Sequence, residues 1–293
     1  MNKRTLRLCS VCGEDLELFP FFVNHYKKLG VQSFHIILHL PENIQHLADE
    51  KLAIFRKQGI TPEYIYTGAW NGIILTSLIN ETIKKYSDDW FIVADQDEFQ
   101  VYPDEINNII NSVNNDVDFI SGCLLDRISQ DGQLTPINYN KSIWEQYPMC
   151  GFMAFPIARA NPYKITLCKG YITLSEGKHG VLVPNEDYPI TNEIICQVHH
   201  FKWTGSFLNR VLERFEQEAK GDWINSYPLY GEELRRNLNY FQKHNNKFNF
   251  DNQLFKVEYS PTPKYNDYSK WNEVRNMVES WDKLHNLFNN IEF

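Results

Sequence analysis

A cluster of acidic side chains follows an apolar run in the first third of the chain. Residues 90–94 read Trp-Phe-Ile-Val-Ala, the composition of a buried strand, and Asp95, Asp97 and Glu98 come directly after them. In an open α/β sheet, ligands bind outside the carboxyl ends of the strands. A hard divalent cation that holds phosphates takes one or two carboxylates together with phosphate oxygens. The spacing therefore favours a metal site for a nucleotide diphosphate; the alternative is a solvated acidic turn.

A second group of candidate ligands lies much further along the chain. Residues 198–203 read Val-His-His-Phe-Lys-Trp. Because side chains alternate along a strand, His200 and Lys202 share one face, and His199 and Phe201 share the other. An imidazole can complete the shell of a metal ion, while an ammonium group neutralises a phosphate. A half-buried strand with one solvated face is the alternative interpretation.

Two shorter motifs could add to such a site. In the segment 177–180, Gly-Lys-His-Gly, the glycines would let the backbone approach a ligand closely. Asp126 and Arg127 follow another strand-like run, and a strand-end carboxylate is where the general base of a transfer reaction would sit. A plain turn and an ion pair that holds a loop are the respective alternatives.

The pattern of apolar residues predicts the elements that must position these groups. Up to about residue 126, strand-like runs alternate with runs of helical spacing, which is typical of a doubly wound, largely parallel sheet. The expected strands cover residues 6–11, 34–40, 63–66, 90–94 and 118–125, and the expected helices cover 15–29, 44–58, 71–85 and 103–113. Residues 127–182 mix turns with short strand-like pieces, and then follow a strand at 194–203 and helices at 204–220, 230–244 and from about 270.

Bulk composition limits the class of protein. The 293 residues are 43% hydrophobic and 23% charged, which is ordinary for a globular protein. The formal net charge of −8 disfavours nonspecific binding of nucleic acid. No apolar run is long enough to span a membrane, no N-terminal apolar segment suits secretion, and the six scattered cysteines are expected to be reduced thiols. We therefore expect a cytoplasmic protein, either free or at the inner face of the membrane.

Several segments, taken in order, resemble the bacterial glycosyltransferases of the family 2-like group, which have the GT-A fold. Residues 13–14 (Gly-Glu) and 25–30 (His-Tyr-Lys-Lys-Leu-Gly) are similar to that group's Asn-Glu and His-Tyr-x-x-Leu-Gly, and residues 90–99 are similar to its Trp-(apolar)-Asp-x-Asp-Glu-Phe. Its later motifs are matched by Asp126-Arg127 with Asp131-Gly132, by Gly177-Lys178-His179, and by His199-His200-Phe201-Lys202-Trp203. The resemblance covers roughly residues 6–215.

The resemblance implies a metal-dependent transferase that moves a sugar from a nucleotide-diphosphate donor to a hydroxyl of a glycan or glycolipid acceptor. It implies that Asp95 and Asp97 hold Mn²⁺ or Mg²⁺, with His200 or His199 as a further ligand. Lys202 would contact the phosphates of the donor, which is expected to be a uridine-diphosphate sugar. The reaction would serve polysaccharide or glycolipid synthesis.

The resemblance also implies roles for residues outside the metal site. His179 would contact the donor, and the end of the first strand near Ser10 and Glu14 would face the nucleotide base. Enzymes of family 2 usually invert the anomeric carbon, with a carboxylate that deprotonates the acceptor hydroxyl while the metal stabilises the departing diphosphate. Asp126 is the expected base, and Glu98 is the competing candidate.

The implied architecture is a GT-A-like α/β fold, a doubly wound and mostly parallel sheet with helices on both faces. It would occupy residues 1–220, with a helical C-terminal extension over 221–293 packed on it. Two other functions stay open. A metal-dependent nucleotidyltransferase or phosphohydrolase would use the same carboxylates, although the chain lacks a Gly-x-x-x-x-Gly-Lys phosphate loop. A catalytically silent protein of this fold would bind a glycan.

Overall fold

The computed structural model describes residues 5–13, 15–113, 117–182 and 194–280, so that Glu14, one of the expected nucleotide contacts, lies outside the described residues. In chain order the elements are β1 (Leu6–Gly13), α1 (Phe19–Lys28), β2 (Ser33–Leu40), α2 (Ala48–Lys57), β3 (Tyr64–Thr67), β4 (Trp70–Asn71), α3 (Gly72–Lys84), β5 (Trp90–Val93), β6 (Glu98–Val101), α4 (Ile106–Ser112), β7 (Phe119–Ile128), α5 (Ile143–Gln146), β8 (Met149–Gly151), α6 (Ala154–Ala158), β9 (Tyr163–Lys169), β10 (Ile194–His200), α7 (Phe207–Lys220), β11 (Trp223–Ile224), α8 (Tyr230–Lys243), β12 (Glu258–Tyr259) and α9 (Trp271–Glu279).

Within the described ranges, the centre of the molecule is a ten-stranded sheet in the order β12-β8-β7-β9-β5-β1-β2-β3, with β10 paired to both β6 and β7. Strands β5, β1, β2 and β3 run parallel to one another. Strand β9 is antiparallel to its neighbours β5 and β7. Strand β10 is parallel to β7 and antiparallel to β6. The predicted α/β class, with a doubly wound sheet flanked by helices, is confirmed.

Apolar side chains on both faces explain why the parallel strands are nearly continuous hydrophobic runs. On one face, Leu8 packs in the same cluster as Phe22 of α1. On the other face, the adjacent Cys9 packs with Leu75 and Ile79 of α3. Because successive residues of a strand point to opposite faces, helices on the two sides bury alternate residues of β1.

The structure differs from the predicted elements in three places. The expected helix at 44–58 begins as a 3-10 helix over Glu42–Leu47, and the α-helix starts at Ala48. Strand β6 is not predicted by the apolar pattern, and it forms because its backbone pairs with β10. The expected strand at 194–203 ends at His200, although the N–H of Phe201 still donates in register to the carbonyl oxygen of Asp97 at 2.7 Å.

The part of the chain after residue 220 is paired with the earlier strands. Strand β11 pairs with β4, and β12 pairs with β8 at the edge of the main sheet. Val274 and Val278 of α9 pack with Phe152 and Phe155 near that edge. A boundary between 1–220 and 221–293 stays a prediction. None of the helices in the described residues combines the length and the apolar character needed to cross a bilayer.

Candidate functional site

Three polar side chains lie side by side at one end of the sheet. His200 of β10 pairs with Glu98 of β6 on one side and with Asp126 of β7 on the other. All three are buried. Asp95 and Asp97 lie in the turn between β5 and β6, which is closed by a 3.0 Å hydrogen bond from the N–H of Glu98 to the carbonyl oxygen of Asp95. The acidic cluster and the distant histidine motif thus meet, as the sequence predicts.

Two buried lysines hold Asp95. Its Oδ2 lies 3.1 Å from Nζ of Lys164, and its Oδ1 is bonded to Nζ of Lys178. Lys164 also lies 2.8 Å from Oε1 of Glu98. Burial raises the pKa of the Asp95 carboxyl, but the ammonium groups of Lys178 and Lys164 outweigh burial and bring this pKa well below its usual range. Asp95 is therefore ionised, and its charge is balanced by the lysines.

The backbone at Lys178 is strained. Its φ of 60° lies in the left-handed region, and the preceding Gly177 has a φ of 70°. A residue with a side chain in such a conformation costs of order 1–3 kcal/mol, which the surrounding contacts must offset. Here the strained backbone directs an otherwise buried ammonium group onto Asp95.

Asp97, His200 and Asp126 form a second charged group beside the lysines. Nε2 of His200 lies 3.4 Å from Oδ2 of Asp97, and Nδ1 lies 3.5 Å from Oδ1 of Asp126. Burial lowers the pKa of His200, but Asp97 and Asp126 outweigh it and raise this pKa to about 9. Burial raises the pKa of Asp97, but His200 outweighs it and lowers this pKa to about 2. At neutral pH the group is an imidazolium between two carboxylates.

Both oxygens of Asp126 are occupied. Oδ2 accepts hydrogen bonds from the backbone N–H of Met153 at 2.8 Å and of Ala154 at 2.6 Å, and Oδ1 accepts one from Nε1 of Trp203 at 2.7 Å. Burial raises the pKa of Asp126, but its 3.5 Å contact with His200 and the positive charge of that ring outweigh burial, so the pKa is lowered. Asp126 therefore anchors the start of α6 and the indole of Trp203.

Glu98 is engaged in the same way. Its Oε1 contacts Lys164, and its Oε2 accepts a 3.0 Å hydrogen bond from the N–H of Asp95. Only 2% of Glu98 is exposed. Each of the two carboxylates expected to act as base is thus held by hydrogen bonds or ion pairs on both of its oxygens.

His199 faces away from the acidic cluster. Its Nδ1 accepts a 3.0 Å hydrogen bond from Nε of Arg127, and its Nε2 lies 3.2 Å from Oε1 of Gln197. Burial, together with the charge of Arg127, lowers the pKa of His199 well below its usual range. The structure therefore brings His200 to the carboxylates but not His199.

Two further expected contacts, Ser10 and His179, have partners other than the acidic side chains. Ser10 is fully buried in β1, with Oγ 3.7 Å from Sγ of Cys12. His179 bonds through Nδ1 to the carbonyl oxygen of Tyr163, and burial together with the charge of Lys164 lowers its pKa to about 3.

Lys202 follows the end of β10 and lies near the row of charged side chains. Its Nζ is 4.4 Å from the centre of the Trp203 ring. Its charge acts on both Asp126 and His200. This position suits a cation that meets a phosphate, because it is outside the ion pairs of Asp95.

Asp97 and His200, the latter in its neutral form, are the side chains of the cluster that could hold a divalent cation. The described residues contain no group of three or more His, Cys, Asp or Glu side chains arranged to hold a metal ion. Mg²⁺ at phosphate sites needs only one or two protein ligands, because water and phosphates supply the others. A ligating histidine commonly has a carboxylate at its other ring nitrogen, as His200 has in Asp126. These residues fit a cation that is bound together with a diphosphate.

The sequence interpretation missed Lys164 and Lys178 as site residues. Lys178 lies in the Gly-Lys-His-Gly motif, where His179 was the expected contact. Lys164 is a charged residue near the start of the mostly buried strand Tyr163–Lys169, where it is 6% exposed. A charge inside an apolar strand signals a buried partner. That partner is identifiable only from the antiparallel pairing of β9 with β5, which brings the start of β9 to the end of β5.

Comparisons with known proteins do not establish the function of this chain. No family model matches the chain, and no curated protein matches it. Among solved structures, a putative glucose-1-phosphate thymidylyltransferase from Bacillus anthracis, in complex with a sucrose, is 11% identical over 99% of this chain and 97% of that one, with a TM-score of 0.27. HddC from Yersinia pseudotuberculosis is 10% identical over 71% of this chain and 99% of that one, with a TM-score of 0.28. A TM-score below 0.5 does not establish a common fold.

Proposed function

We propose that the protein transfers a sugar from a nucleotide-diphosphate donor to a hydroxyl group of a glycan or glycolipid. The observation that supports this most directly is the meeting of Lys164, Lys178, Asp97 and His200 at the end of the sheet where β5 ends and β9 begins. Ammonium groups neutralise phosphate charge. This is also the edge where ligands bind to α/β sheets.

The charge balance of the cluster favours a cation that enters with the donor. The cationic groups of the cluster are already matched by nearby carboxylates, those of Asp95, Asp97, Glu98 and Asp126 among them. A diphosphate that enters such a balanced cluster adds negative charge in a partly buried place, which is unfavourable without added positive charge. A divalent cation held by Asp97 and by the His200 ring, which would release its imidazolium proton on binding the metal, would supply it and stabilise the departing diphosphate.

The residues of the chain then have separate tasks. Lys178 and Lys164 would exchange part of their contact with Asp95 for phosphate oxygens, and Lys202 would approach from the other side of His200. Asp126 would keep the His200 ring oriented through its contact with Nδ1. These roles need no movement of the sheet, because the side chains already meet at its edge.

A binding experiment tests the proposal. Uridine, guanosine and thymidine diphosphates and their common sugar conjugates are titrated into the protein by calorimetry, with Mn²⁺, with Mg²⁺ and with a chelator. We expect one nucleotide sugar to bind with a metal requirement and to be converted slowly to the nucleoside diphosphate. If no nucleotide sugar binds while a nucleoside triphosphate is turned over, the proposal is wrong.

A substitution of Lys178 tests whether its ammonium group contacts the donor. Lys178→Gly removes the ammonium group and places glycine where φ is 60°, so the backbone should tolerate it, and Asp95 keeps its contact with Lys164. Loss of one charge-assisted contact to phosphate, about 1.5–3 kcal/mol, should weaken donor binding roughly 10- to 100-fold. Lys256→Gly is the matched control, since Lys256 has a φ of 51° and pairs with Glu273 instead. Equal donor affinity in the two variants would remove Lys178 from the site.

A further inference from the structure

The carboxylate best placed to act on the acceptor belongs to the C-terminal part of the chain. Glu233 lies in the first turn of α8, and none of the described residues holds its carboxylate in a hydrogen bond or ion pair. It differs in this from Asp126 and Glu98, whose oxygens are all engaged. A general base needs an oxygen that is free to take a proton.

The packing of α8 directs Glu233 toward the site. Leu234 is buried in the cluster that contains Trp203 and Met153, two of the three residues that donate hydrogen bonds to Asp126. Asn237, one helical turn after Glu233, is 2% exposed and donates to the carbonyl oxygen of Glu233 at 2.9 Å. Since residues four apart share a helix face, Glu233 lies on the inner face of α8.

The segment that leads into α8 is fixed to the opposite side of the site. The N–H of Ser226 donates to Oε2 of Glu176 at 2.8 Å, two residues before Lys178. Trp223 stacks on Trp70 with ring centres 4.8 Å apart. The start of α8 is therefore held between the turn that carries Lys178 and the indole bound to Asp126.

The pKa of Glu233 is influenced by the cations of the site. Burial raises the pKa of Glu233, and the positive charges of Lys202, His200 and Lys164 oppose the rise without cancelling it. Those three cations are the ones assigned above to the donor and its metal. A carboxylate with a raised pKa is a stronger base than an ordinary one.

We propose that Glu233 is the general base of the transfer, an assignment that rests on the proposed function. Its carboxylate takes the proton of the acceptor hydroxyl as the hydroxyl oxygen forms a bond to the anomeric carbon of the donor. The bond from that carbon to the diphosphate oxygen breaks, and its electron pair leaves with the nucleoside diphosphate. The proton ends on Glu233 and is then released to water.

Glu233→Gln is the test variant and Glu232→Gln its control. Glu232 is the neighbouring residue, 47% exposed and paired with Arg236 at 3.1 Å on the outer face. With the nucleotide sugar that binds, turnover is followed as release of nucleoside diphosphate with water as acceptor. We expect Glu233→Gln to lower kcat about 100- to 10,000-fold while the Kd of the donor stays the same. Glu232→Gln should change neither quantity.

A labelling experiment on the unaltered protein needs no turnover. A water-soluble carbodiimide with a small amine marks accessible carboxyl groups, which are located by mass spectrometry of peptides. We expect the nucleotide sugar with Mn²⁺ to protect Glu233, the nucleoside diphosphate with Mn²⁺ to leave it reactive, and Glu232 to react throughout. This pattern would place Glu233 beside the transferred sugar.

The two proposals can fail separately. If no nucleotide sugar binds, the proposed function is wrong and the assignment of Glu233 is wrong with it. If a nucleotide sugar binds but Glu233 reacts equally with and without it, or if Glu233→Gln keeps the kcat of the unaltered protein, only the assignment of Glu233 is wrong.

Discussion

Replacement of Asp126 by asparagine should destabilise the protein strongly, because the carboxylate holds three hydrogen-bond donors in a buried place. The donors are the N–H groups of Met153 and Ala154 and the indole of Trp203. In either orientation of an asparagine amide, its NH₂ group faces at least one of these donors. An orphaned buried donor costs about 1–3 kcal/mol, and loss of the charge beside His200 adds to this. We expect the free energy of unfolding to fall by about 3–5 kcal/mol.

Urea unfolding at pH 7, followed by tryptophan fluorescence, measures this loss. Asp88→Asn is the control, since Asp88 is exposed, and it should change stability by less than about 0.5 kcal/mol. The folded pKa of Asp126 is lowered, so its stabilisation is complete above the unfolded pKa and is lost as pH falls through the folded value. The difference between the two proteins should therefore shrink in acid. A loss of under about 1 kcal/mol at pH 7 would refute a structural role for these hydrogen bonds.

Three further predictions concern the metal site, the charge on His200 and the packing of the sheet. Asp97→Asn should abolish metal-dependent donor binding and, because it removes a carboxylate paired with the His200 ring, should also cost about 2 kcal/mol of stability at pH 7. His200→Ala should weaken Mn²⁺ binding in calorimetry more than His199→Ala; the reverse order would identify the other strand face. The pKa of His200 is raised from 6.5 to about 9. In the presence of a chelator, this shift should contribute about 3 kcal/mol to the free energy of unfolding below pH 6.5, and the contribution should be lost as pH rises through 9. His200→Gln should remove this pH dependence. Gly170→Ala would put a Cβ 2.2 Å from a backbone carbonyl oxygen and should cost about 3 kcal/mol, whereas Gly180→Ala meets nothing nearer than 3.6 Å and should be neutral in the same urea assay.

The sequence was sufficient for the elements because their pattern is local. Apolar runs and helical spacing placed β1, β2, β5, β7 and the helices α1, α3 and α7 within a few residues of their observed bounds. The alternation of a strand also showed that His199 and His200 point to opposite faces. It could not show which of the two faces the acidic cluster, because that depends on how β10 pairs with β6 and β7.

Strand β6 illustrates the limit of local pattern. Glu98–Val101 alternates polar and apolar residues over only four positions, too short a run to be assigned as a strand from sequence, yet it pairs with β10 and all four residues are buried. The energy of that pairing comes from a segment about 100 residues away in the chain. The residues around Glu98 therefore do not reveal which strand it pairs with.

By itself, the sequence determined the α/β alternation, the acidic cluster after a buried strand and the separate histidine motif. Tertiary structure alone decided that Asp126 and Glu98 are held by hydrogen bonds and ion pairs, and that Lys164 and Lys178 surround Asp95. The physical reason is that a residue's type and spacing fix which groups it can offer and on which face. Whether such a group is free or already paired depends on side chains that only strand register and helix packing bring near.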